Sequence, residues 1–174
     1  MTIAEKSKPK SKKRNFSSFR YADAFKQVGL TELLPWRITF DAYTPSDFFR
    51  ERLVRLRSAF DLQNCEDSKK LLIDAICEEA IYGIPTLKIW KGADLESDAV
   101  KGFVDYLVAA HRAYLETPFF CVVEAKKDNF DQGLAQCLVE MQACQWCNQQ
   151  ARQSIDVFGV VTNGEGWKFY KLTI

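Results

Sequence analysis

One histidine in the whole chain, no apolar run near the length of a membrane span, no internal repeat and no linker are what this sequence lacks. Its longest apolar stretches fall far short of the ~20 residues a membrane helix needs. The N-terminus carries no apolar segment of the secretory type, so a cytoplasmic protein without a membrane partner is the expectation. The shortage of histidine bears on the six cysteines. Cys144-Gln-Trp-Cys147 is a lone CxxC without a second pair at finger spacing, set in a long helical pattern rather than at a helix start after a strand. Small buried apolar residues are the simpler reading of these thiols; zinc or redox chemistry is the distant alternative.

What is present fits one domain. A length of 174 residues is enough to bury a core, and 47% hydrophobic with 27% charged residues is the balance of an ordinary soluble protein. The net charge of +1 hides an asymmetry: residues 1–14 carry a net +5, which leaves −4 on the rest. The Lys/Ser/Pro-rich start reads as a disordered basic arm over 1–15, followed by a single domain over 16–174. Such an arm could add nonspecific phosphate affinity. The acidic body argues against a passive basic coat protein and suits an enzyme whose acidic site is offset by metal.

Hydrophobic period divides the domain. Tyr21–Val28 reads as a short helix stopped by Gly29, and Trp36–Phe40 as a strand. Ser46–Phe60 is amphipathic, with Phe49, Leu53, Leu56 and Phe60 at helical spacing. Asn64 offers an N-cap, with Asp67 three residues on, to a helix running to about Tyr82, where Gly83 and Pro85 end it. Thr86–Trp90, Val100–Ala109 and Phe119–Ala125 read as strands, Asp131–Gln149 as a helix packed on a sheet, and Asp156–Thr162 with Trp167–Leu172 as a closing hairpin around Asn163-Gly164-Glu165-Gly166. The expected class is α/β: a mixed central sheet flanked by helices, with a helical N-terminal extension.

Charges set into two of these strands are the strongest chemical signal. Asp105 interrupts Gly102-Phe-Val-Asp-Tyr-Leu-Val-Ala, and Glu124 and Lys126 end Phe119-Phe-Cys-Val-Val-Glu-Ala-Lys. Desolvating them is costly unless something compensates. A hairpin centred near Tyr114–Leu115 would place Asp105 opposite Glu124, with directly opposed side chains on one face and Cβ atoms ~5 Å apart. Lys126 would share that face, whereas Ala125 would point away and leave its carbonyl as a further ligand. Like charges so close repel unless a cation lies between them. Mg²⁺ or Mn²⁺, with its preference for oxygen ligands, would lower the pKa of bound water and neutralise charge on a phosphate; the lysine would position water or stabilise the transition state. The alternative is that Glu124-Ala-Lys126-Lys127-Asp128 is a solvated strand end.

Asp105 followed by Glu124-x-Lys126 resembles the PD-(D/E)xK motif of the restriction-endonuclease-like superfamily, in the form found at the start of type I restriction R subunits. Five segments carry the resemblance: Glu66-Asp-Ser-Lys-Lys-Leu-Leu-Ile-Asp74, Gly102-Phe-Val-Asp105-Tyr-Leu, Val122-Val-Glu124-Ala-Lys126-Lys127, Phe130-Asp-Gln-Gly-Leu-Ala-Gln136-Cys-Leu-Val-Glu-Met141 and Gly159-Val-Val-Thr162-Asn163-Gly164-Glu-Gly-Trp167. The resemblance implies an αβββαβ core and a nuclease acting on nucleic acid, with DNA expected. It implies Asp105 and Glu124 as metal ligands, Lys126 as the catalytic lysine, and Glu66 and Gln136 as auxiliary groups. Val104 stands where the motif has proline, and with no helicase motor or recognition domain in the sequence a type I restriction role does not carry over whole. Glu78 or Glu79 could replace Glu66 as the helical acid, and Gln136 could be structural. A site of this kind cuts one strand, so double-strand cleavage would require a homodimer, a larger complex or repeated nicking. The runner-up function is a non-cleaving nucleic-acid-binding or interaction module on the same fold.

Overall fold

Short β-branched runs and long helical runs become a mixed, open six-stranded sheet with four α-helices in a computed structural model, which describes residues 12–126 and 128–174. In chain order the elements are β1 (Arg14–Asn15), a 3-10 turn (Phe16–Ser18), α1 (Tyr21–Val28), α2 (Asp47–Ala59), α3 (Glu66–Ile81), β2 (Leu87–Glu96), β3 (Val100–Ala110), β4 (Phe119–Ala125), α4 (Phe130–Gln150), β5 (Val157–Thr162) and β6 (Trp167–Leu172). The strands run β1-β3-β4-β5-β6, with β2 along the other edge of β3. β2/β3, β3/β4 and β5/β6 are antiparallel, whereas β4/β5 is parallel and therefore needs the α4 crossover.

Two cores flank the sheet. The larger one joins α1 and α4 to Val104, Leu107, Val122 and Val161, and buries Phe16 and Phe19 from the turn beside β1. The smaller one sets Ile73 and Cys77 of α3 against Tyr106, Val123, Ala125 and Val160. α4 is apolar over so wide an arc because it lies flat on the sheet. Asn129 opens it by accepting a hydrogen bond from Gln132 N–H at 2.9 Å.

Several boundaries differ from expectation. Most of the proposed basic arm, residues 1–11, lies outside the described residues, and its last two positions, Arg14 and Asn15, pair in parallel with Val100 and Lys101. Trp36–Phe40 is not a strand: it has the alternation but, among the described residues, no ladder partner, so Leu34 and Phe40 stay exposed while Trp36 meets the Phe158 ring at 5.9 Å. The N-cap of α3 is Cys65, not Asn64, and makes no side-chain cap bond; Glu66 and Asp67 in the first turn face the helix dipole instead. β2 continues past Trp90 to Glu96, through Gly92 at φ 58. Among the described residues no helix is long and apolar enough to cross a membrane.

Candidate active site

The C-terminal ends of the parallel pair β4/β5 converge with the starts of α3 and α4, and Asp105, Glu124 and Lys126 gather there. Glu124, paired with Val161 in the ladder, is fully buried. It points to the α4 side, where Gln136 Nε2 donates to Glu124 Oε2 at 3.0 Å and to Glu140 Oε1 at 3.0 Å. Its other oxygen, Oε1, faces Lys126 Nζ at 2.5 Å as an ion pair. The neighbours Val123 and Ala125 point the opposite way into the α3 core, as strand alternation requires.

Asp105 reaches the same region by a different route. The β3/β4 ladder runs Tyr106↔Val123, Leu107↔Val122 and Val108↔Cys121, so one further step in that register brings Asp105 opposite Glu124, as the hairpin symmetry predicts. The shared face does not follow. Val104 belongs to the larger core and Tyr106 to the smaller one, although two residues apart they should share a face. The reversal is matched on β2, where Ile89 packs on the smaller core but Ala93 and Leu95 on the larger, and the ladder omits the Gly92/Asp105 pair between them. Asp105 therefore leans across the strand edge: Oδ2 accepts from Ala125 N–H at 2.9 Å, and Oδ1 meets Lys70 Nζ of α3 at 3.0 Å. The two carboxylates approach from opposite faces of the sheet, which corrects the expectation of a single face.

Lys126 sits beyond the end of β4, its main-chain N–H donating to Thr162 C=O at 2.9 Å. Gly133 of α4 makes room for it: a Cβ there would stand 3.1 Å from Lys126 Cγ and 2.5 Å from Val161 Cγ1. The absence of a side chain brings α4 close enough for Gln136 to reach Glu124.

The electrostatics follow from burial. Desolvation, reinforced by the Asp105 charge, pushes Glu124 up to about 7 against the lowering pull of Lys126. Desolvation and the Glu124 charge also hold Glu140 well above the usual carboxylate range. Burial works against the Lys126 charge, but Glu124 outweighs it and keeps the ammonium above its ordinary value. Lys70 behaves alike: burial opposes its charge, and Asp105 and Glu66 overcome that.

Of the three helical acids weighed from sequence, Glu66 is the one at this cluster, with Oε1 3.2 Å from Lys70 Nζ. Glu79 instead accepts from Ser46 N–H and Oγ at 2.7 and 2.8 Å and from Tyr43 Oη at 3.0 Å, which ties down the start of α2. Glu78 pairs with Arg52. Cys144 is buried in the larger core, and Cys147 Sγ contacts Glu96 C=O at 3.3 Å. Lys70 and Glu140 escaped the sequence reading. A signal existed for each: Lys70 follows Glu66 by four residues, and Glu140, four after Gln136, is a charge inside an otherwise apolar helical arc.

Among the described residues no group of three or more His, Cys, Asp or Glu side chains is placed to hold a metal ion. The donors at the strand ends are two carboxylates, with the Ala125 backbone between them. That set fits a small hard cation, which accepts one or two carboxylates and completes its shell with water. Glu124 Oε1, buried and faced by the Lys126 ammonium alone, is the carboxylate oxygen that such a cation would share with that lysine. Compared with protein-family models, curated proteins and solved structures, the chain matches none.

Proposed function

We propose that this chain is a metal-dependent nuclease with a restriction-endonuclease-like core, hydrolysing phosphodiester bonds in DNA. The observation that carries the reading is the meeting of Asp105, Glu124, Lys126, Gln136 and Glu66 at one end of the sheet, from four separate elements. The element order α3-β2-β3-β4-α4-β5 supports the αβββαβ core.

In this reading Asp105, Glu124 and the Ala125 carbonyl would hold Mg²⁺ or Mn²⁺. When bound, the ion lowers the pKa of a water and offsets charge on the phosphate. The residues of the chain do the rest. Asp105 is held in place by Ala125 N–H, and the Gln136 amide holds the Glu124 carboxylate. Lys126, charged and half-buried, stands beside Glu124, where its ammonium can orient the attacking water or stabilise charge on the phosphate. Gln136 and Glu140 close the α4 side against solvent. One such site severs one strand, so double-strand breaks would come from two copies or from successive nicks.

The test is incubation of supercoiled plasmid and single-stranded DNA with Mg²⁺ or Mn²⁺, using the parent chain beside Asp105→Ala and Lys126→Ala. Metal-dependent nicking lost in both variants is the expected result. Cleavage unaffected by either substitution would overturn the site. DNA binding without cleavage in the parent chain would instead support the non-cleaving module.

A further inference from the structure

Lys70 is not part of the motif that points to the site, yet it makes the closest cationic contact with Asp105. Its Nζ lies 3.0 Å from Asp105 Oδ1 and 3.2 Å from Glu66 Oε1, with about three quarters of the side chain buried. Asp105 Oδ2 accepts from Ala125 N–H and Oδ1 from Lys70, so Oδ1 is the oxygen of Asp105 that already has a cation. Lys126 meets Glu124 in the same way from the other side. Each of the two carboxylates thus has its own lysine, arriving from a different element.

We propose that Lys70 is a second lysine of the active site: an internal counter-cation that a divalent metal displaces from Asp105 Oδ1, and whose freed ammonium then meets the substrate phosphate. This rests on the metal-dependent reading above. An ammonium and a metal ion on the same carboxylate oxygen repel each other, so the two compete for Asp105 Oδ1. A lysine suits such an exchange, as its charge is a point on a flexible four-carbon stem with rotatable donors. Anchored on α3 one turn after Glu66, the ammonium can swing away from Asp105 without movement of the helix. In the metal-free protein it offsets the repulsion among Asp105, Glu66 and Glu124; with metal and DNA in place it supplies positive charge on the α3 side, opposite Lys126.

Titration calorimetry with Mn²⁺ and no DNA tests the exchange, comparing the full chain with Lys70→Met and Lys70→Arg. Lys70→Met keeps the stem and removes the competitor, so it should bind Mn²⁺ about tenfold more tightly, the equivalent of ~1.4 kcal/mol. Lys70→Arg keeps a competing cation and should show no gain. With saturating metal, Lys70→Met should cleave with a reduced kcat. Metal binding in the parent chain that is no weaker than in Lys70→Met overturns the counter-cation and leaves the nuclease reading standing. Tighter binding with unchanged kcat overturns the phosphate role of Lys70. No Mn²⁺ binding by any of the three proteins overturns the metal reading and this proposal together.

Discussion

Asp105 Oδ2 accepts a hydrogen bond from the main-chain N–H of Ala125 at 2.9 Å, so a carboxylate on one strand is fixed to the backbone of the next. The bond sets its position relative to Glu124 through main chain rather than through a free rotamer. Such preorganisation is what a site needs if its ligands are to hold an ion without rearranging.

That bond separates charge from geometry. Asp105→Asn keeps an acceptor for Ala125 N–H but loses the negative charge. It gives up the ion pair with Lys70, so the thermal midpoint should drop modestly while cleavage falls by about 10² or more. Circular dichroism melts and a plasmid-nicking assay on one preparation check it. A large drop in the midpoint would show that the carboxylate is mainly structural.

Gln136 spends its Nε2 on two buried carboxyl groups, Glu124 and Glu140. Gln136→Ala removes a donor from both, and each buried polar group left without a partner costs roughly 1–3 kcal/mol. Urea denaturation should therefore show a loss of about 2 kcal/mol or more. Glu140→Gln should cost less, because burial and Glu124 already favour the neutral form of Glu140. Equal losses in the two variants would contradict this ranking.

The Glu124 carboxyl predicts a pH dependence with a definite sign. Burial and Asp105 raise it from 4.5 to about 7, so between those values the folded chain holds a proton that the unfolded chain releases. Stability from this group is complete below pH 4.5 and is lost as pH rises through about 7. Without metal, the thermal midpoint of the parent should fall relative to Glu124→Gln across that window. Mg²⁺ should recover the loss at pH values above it, since only the ionised carboxylate is a good ligand. A flat difference between parent and variant would sink the assignment.

Gly133 poses a conflict between helix propensity and packing. Alanine is intrinsically better in a helix by roughly 1 kcal/mol, but its Cβ would meet Val161 Cγ1 at 2.5 Å, with Lys126 Cγ at 3.1 Å. Overpacking of this kind costs about 1–3 kcal/mol, so packing should win and Gly133→Ala should destabilise the fold. Because α4 would be pushed off the strand ends, cleavage should fall as well. A stabilised, fully active variant would mean that α4 can shift without disturbing Gln136.

What could be read from the sequence was whatever depends on local pattern. β4 is short, apolar and bounded by polar turns; α4 carries its apolar arc openly; and the β3/β4 register follows from hairpin symmetry around Tyr114–Leu115. Glu124 could be named because it is a charge at the end of such an apolar run, whereas Gln136 and Glu66 were legible only through the resemblance of their segments to a known motif. The face of Asp105 could not, because strict alternation predicts the wrong one once β3 reverses at that residue. The partners of Glu78 and Glu79 depend on how α2 docks against α3, which no local period encodes. Trp36–Phe40 shows the converse: a good strand pattern has no strand without an edge to pair with.

The matched reversal at Gly92 and Asp105 also protects β2 and β3 against mispairing. In an ordinary hairpin a slip by two residues preserves which side chains face inward, so it is opposed by the turn and not by burial. Here each strand switches faces at one point, and the two points coincide. A slip by any number of residues would separate them and send part of one strand's apolar set to the wrong layer. Gly92, at φ 58, is the residue that permits the switch on β2. The alignment that delivers Asp105 to the strand ends is thus selected against every neighbouring alignment, by a glycine outside the motif.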